Sequence, residues 1–168
     1  MSVLEFGLRS FFRPRIYDIT RGSAPVGAIE CSRMWERATI SIDGANYAAA
    51  RDGKMSGAFY LEASGNRAAT AEKPSMSGRL FTVRIGDRTL TLKAASTFGR
   101  SYVLTEHDVQ IGAIAPLGWL ARKWRAELPD DLAPEVQAFL IWLVIILWRR
   151  AKAAVVATSS INTAVASS

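Results

Sequence analysis

Cysteine and histidine are nearly absent from this chain of 168 residues, which holds one of each, Cys31 and His107. A single thiol excludes an intramolecular disulfide and a cysteine zinc site, and suits a reducing compartment. In "AIECS" it reads most simply as a small buried hydrophobe. The histidine lies in "TEHDV" with no serine, cysteine or second histidine nearby, so it reads as a turn residue and not a general base. Glycines occur in "SGAFYLEASGNR" and "STFGRS", but neither has the spacing of a phosphate-binding loop. "MSVLEFGLRSFFRPR" carries Glu5 and lacks an apolar stretch of signal-peptide length, so the expected location is cytoplasmic, free or peripherally at the membrane. No catalytic residue, metal or cofactor is expected.

Apolar residues make up 49% of the sequence and charged residues 21%, a globular composition of single-domain size. The net charge is +6, with a pI of about 9.9, which favours anionic partners. Up to Leu128 the chain is a series of short extended segments separated by turn residues. Thr39 to Ile42 leads through "DGAN" to Tyr47–Arg51, and "AFYLEA" (58–63) through "SGNR" to Ala68–Lys73. "RLFTVRI" (79–85) meets "RTLTLKA" (88–94) across "GD", and "SYVLTE" (101–106) meets "VQIGAI" (109–114) across "HD". Each pair reads as a hairpin. Further candidates at 6–12, 15–20, 25–31 and 123–128 bring the total to about twelve strands, the spacing of a sandwich or barrel.

One long greasy run stands out, "VQAFLIWLVIILWRRAK", residues 136–152. Its apolar centre, Ala138 to Trp148, falls short of the roughly twenty residues that a bilayer crossing needs. Extension would bury Arg149, Arg150 and Lys152 at one end, or Glu135, Asp131 and Asp130 at the other, at about 2.5–3.5 kcal/mol per central charge. A helix at about 131–152 is expected, with Asp131 as N-cap, Pro134 in the first turn, and Arg149, Arg150 and Lys152 at the negative end. Because it is apolar on every face, it must be enclosed. The expected fold is therefore mainly β: a closed antiparallel barrel of about twelve strands around a central hydrophobic C-terminal helix, in one domain spanning 1–152. The Ala/Ser-rich stretch 153–168 reads as an unstructured tail.

The hairpins "RLFTVRIGDRTLTLKAASTFGRSYVLTEHDVQIGAIAP" and the closing "LPDDLAPEVQAFLIWLVIILWRRA" resemble the tubby C-terminal-like superfamily, which includes tubby domains, LURP-one-related proteins and phospholipid scramblases. The order of elements is similar to the small bacterial LURP-one-like members, over roughly residues 5–152. The resemblance implies a non-enzymatic module that meets anionic phospholipid or phosphoinositide-like headgroups, or a protein partner, at the cytosolic membrane face. The sequence carries no proline-rich N-terminal region or palmitoylation cysteine cluster of the scramblase kind, and the phosphoinositide-binding pair of tubby domains maps to no particular position.

The densest mixture of tryptophan and positive charge is "LGWLARKWRAEL" (117–128), with Trp119 and Trp124 among Arg122, Lys123 and Arg125. It suits a lipid interface or a phosphate. The plainer account packs the tryptophans on the barrel and leaves the charges solvated. Arg13 and Arg15, with Arg9 in "RSFFRPRIY", form a second candidate. Two other readings compete: a protein tethered by its C-terminal helix, and a basic nucleic-acid binder. The second is disfavoured, because no stacking platform or recognition helix is visible.

Overall fold

The computed structural model describes residues 1–10, 12, 14–32, 36–53, 57–74, 79–97, 99–118 and 122–165, with side chains described to 153. Twelve strands run β1 (Ser2–Leu8), β2 (Arg15–Arg21), β3 (Ala24–Cys31), β4 (Arg37–Ile42), β5 (Ala45–Arg51), β6 (Ala58–Ala63), β7 (Asn66–Glu72), β8 (Leu80–Ile85), β9 (Arg88–Ala94), β10 (Tyr102–Glu106), β11 (Val109–Pro116) and β12 (Lys123–Leu128). Each pairs antiparallel with its neighbour in sequence. β1 closes on β12 from Ser2↔Leu128 to Gly7↔Lys123, so the sheet is a closed barrel. Closure leaves no exposed sheet edge.

Alternation selects the inner wall. In β9, Leu90 and Leu92 are fully buried between outward Thr89, Thr91 and Lys93, and β12 turns Trp124, Ala126 and Leu128 inward. The two-residue connections sit where positive φ is cheap: Asp43–Gly44, Ser64–Gly65 and His107–Asp108 all have φ between 48° and 83°. His107 is thus the turn residue its sequence context implied. Gly27 is fixed by close approach, since a Cβ there would collide with the Ser41 carbonyl across the β3–β4 ladder.

One helix, α1 (Pro134–Val165), threads the barrel. From Ala138 to Leu147 every residue is buried, Trp142 and Leu143 completely. Its nearest strand is β4. Small inward residues, Ala38, Ala49, Ala69 and Ala71, line part of the wall. Larger ones, Phe81, Leu92, Tyr102 and Leu104, fill the remaining wall. Trp142 wedges beside Phe59, with rings 5.7 Å apart at 81°. The apolar run is therefore barrel core, and among the described residues no helix is long and apolar enough to cross a membrane.

The helix ends differ from the sequence-based expectation. Ala133, not Asp131, begins the helix: its carbonyl accepts from the Val136 and Gln137 amides, with Pro134 in the first position. Asp131 has a stronger use, accepting from Arg88 Nη1 at 2.9 Å while the same guanidinium grips Glu106 at 2.9 and 3.0 Å. Buried Gln137 ties the first turn down by donating to the Pro129 and Leu132 carbonyls. At the far end the backbone stays helical to Val165, past the expected end at 152, and no basic residue lies in the last turn. Arg149 and Arg150 therefore do not cap the helix.

Three variants test this packing. Leu143→Asp is expected to yield no soluble folded protein, since the buried carboxylate has no partner. Leu143→Ala should fold but lose about 2–5 kcal/mol in urea denaturation. The Arg88 hydrogen bond holds the Glu106 carboxyl below its ordinary range. Its contribution is therefore present above the ordinary glutamate pKa and lost as pH falls through the depressed value. Thermal melts between pH 6 and pH 3 should show a shallower acid decline for Glu106→Gln than for wild type.

Candidate functional site

The antiparallel order gives the two mouths of the barrel different chain. At the mouth where the helix enters, five hairpins turn in two residues each: 22–23, 43–44, 64–65, 86–87 and 107–108. At the mouth where it leaves, the connections are longer: 9–14, 32–36, 52–57, 73–79, 95–101 and 117–122. Long connections on a rigid scaffold are where binding residues concentrate.

Charge follows the same division. The strand ends, loops and helix turn at the exit mouth carry Arg9, Arg15, Arg37, Arg51, Lys73, Arg79, Arg100, Arg122, Lys123, Arg149, Arg150 and Lys152. Among the described residues, the acids placed there are Glu36, Asp52 and Glu72, with Glu30 beside Ser32 and Arg37 and with Asp18 paired to Arg9. The other mouth carries Asp43, Asp87, Glu106, Asp108, Asp130, Asp131 and Glu135, with Arg21 and Arg88 among them. The net +6 is thus the remainder of a strongly basic end and an acidic one.

Three groups build the basic mouth. Where the helix leaves, Trp148 lies 5.9 Å from Trp124, with the Lys152 ammonium 5.7 Å and the Arg100 guanidinium 6.0 Å from its ring. Beside this stack, Arg15, Trp148, Arg149, Lys152 and Ala153 line a cleft of about 440 Å³, with no carboxylate among the described residues of its lining. Next, Glu36 holds Arg51 at 2.8 Å and Arg150 at 3.6 Å. Burial, then the neighbouring Arg51, lowers the pKa of Arg150; burial, then Arg150, lowers that of Lys73. Last, Arg122 and Lys123 line a cleft of about 390 Å³ on the β1–β2 wall, with Arg9, Glu5 and Asp18. There Arg9 pairs with Asp18 at 3.3 Å, so acids partly offset the positive charge.

Arg79 sets one loop of the rim. Its guanidinium donates to the Thr97 and Gly99 carbonyls at 2.9 Å and to the Tyr102 hydroxyl at 3.1 Å, pinning the β9–β10 connection to the barrel.

The sequence-derived candidates are divided by this geometry. Lys123 and Arg125 face outward from β12, and Arg125 reaches Glu5 at 3.5 Å. Trp124 between them points into the barrel, 6% exposed and stacked 5.9 Å from Phe6. It is a core residue, because strand alternation gives it the opposite face from its basic neighbours. Arg15 joins the helix-exit cleft, whereas Arg122 and Lys123 lie on the wall. Trp119 and Arg13 lie outside the described residues. Sequence reasoning gave Arg149, Arg150 and Lys152 to the helix end and passed over Arg51, Lys73 and Arg100. The available signal was parity: alternate connections of an up-and-down barrel share a mouth, and one set is rich in arginine.

Cys31 and His107 stand at opposite mouths, so they form no dyad. Burial raises the Cys31 pKa to about 12, which keeps the thiol protonated near neutrality. The inward role of Trp124 is testable. Trp124→Ala should cost about 3–5 kcal/mol in urea denaturation, whereas Lys123→Ala should stay within about 0.5 kcal/mol.

Comparison with family models, with curated proteins and with solved structures finds no match to this chain.

Proposed function

We propose that this chain is a non-catalytic barrel module that docks its basic mouth onto anionic phospholipid headgroups, at the cytosolic face of a membrane. The observation that carries the reading is the separation of charge between the two mouths, with the excess positive charge surrounding the emerging helix. Two features favour lipid over other polyanions. The basic mouth presents Trp148 within its cations and Phe12 at 86% exposure, the aromatic-plus-cation mixture that suits a membrane interface. The helix also projects from this mouth as a convex element, and residues 153–168 carry no charge. A nucleic-acid groove would instead be concave, with stacking faces. The reading agrees with the resemblance to tubby and LURP-one-like proteins and requires no catalytic group.

Vesicle co-sedimentation tests it. The protein should pellet with vesicles containing about one-third phosphatidylglycerol, stay in solution with pure phosphatidylcholine, and be released as salt rises. At about 1 kcal/mol per basic side chain near an anionic surface, Arg15→Gln, Arg149→Gln and Lys152→Gln together should weaken binding on the order of 100-fold. Asp43→Asn and Asp108→Asn at the other mouth should not weaken it. Binding equally strong to neutral vesicles, or unchanged in the triple variant, would sink the proposal.

A further inference from the structure

Because α1 occupies the barrel axis, the basic mouth has no central opening. Its cations stand on the emerging turns of the helix and around it, on separate strands and loops. Twelve strands at about 4.8 Å spacing and about 40° tilt make a barrel roughly 24 Å across. Lys123 on β12 and Arg15 on β2 flank β1, whereas Arg51 and Lys73 lie several strands away, beyond β5 and β7. A single headgroup phosphate, a few ångströms wide, cannot meet all three groups. Two of the groups are also held locally by the protein, Arg51 by Glu36 and Lys152 over Trp148.

From this collar geometry we infer that the mouth reads the charge density of a bilayer surface and does not select one headgroup. The inference rests on the lipid-docking reading above and adds its mode of recognition. Several lipids are engaged at once, each by one or two cations, and the contribution of each cation depends on its charge and not on its sector. A pocket would behave differently, with one residue dominating and the isolated headgroup binding on its own.

The test uses the full chain and vesicles of phosphatidylcholine doped with phosphatidylglycerol, phosphatidylserine or phosphatidylinositol bisphosphate, adjusted to equal zeta potential. Binding to the three should agree within about threefold. Soluble inositol trisphosphate, at constant ionic strength, should release no protein. Arg15→Gln, Arg51→Gln and Lys123→Gln, each confirmed as folded by its thermal melt, should weaken binding by similar small factors of about fivefold. Tenfold preference for one headgroup at matched charge, release by inositol trisphosphate, or near-complete loss in one single variant would overturn the collar mode while leaving lipid docking intact. No binding to any charged vesicle would overturn both readings together.

Discussion

The enclosure of one apolar helix is the constraint on which the structure depends. The stretch from Ala138 to Leu147 offers no polar face, so no packing that leaves one side wet can satisfy it. A single open sheet would cover only part of its circumference. Twelve short strands closing on themselves cover all of it and remove their own edges. The interior mixes small alanines with larger aliphatic and aromatic side chains around the helix. The same enclosure fills the centre of the basic mouth, so the proposed recognition is confined to a rim. Core packing and the proposed binding mode thus follow from one cause.

Much of this architecture is legible in the sequence, because hairpin turns and alternation are local. "RTLTLKA" shows its buried face directly, and "DG", "SG" and "HD" mark turns that are all present. Errors arose where a distant partner decides. The greasy "FGLRSFF" suggested a strand at 6–12, yet β1 is Ser2–Leu8, set by its register with β12 at the other end of the chain. Asp131 has the residue type of a helix cap, but Arg88, far away in sequence, claims it. Trp124 is a different case. The alternation that exposes Lys123 and Arg125 also buries the residue between them, in keeping with the plainer account that packs this tryptophan on the barrel.

The charge division was harder to see, because composition reports only a sum. An overall +6 looks like a mild surplus. Its physical content appears once every second connection is assigned to one mouth, since the two sets then differ in sign as well as in length. An oriented field follows, and it favours approach to an anionic surface by one end over the other. The tight acidic turns thereby contribute to orientation without touching anything.

The position of the helix in the chain has a consequence for biogenesis. Strands β1 to β12 are all synthesised before the segment that fills them, and the seam between β1 and β12 joins the two ends of the sheet. Until Leu147 has left the ribosome, the inward leucines, isoleucines and phenylalanines have nothing to cover them. Local hairpins can form during synthesis, but closure waits for contacts of very long sequence separation, which form slowly. The nascent barrel therefore passes through an open, sticky stage, exposed to aggregation, that ends only when its last element arrives.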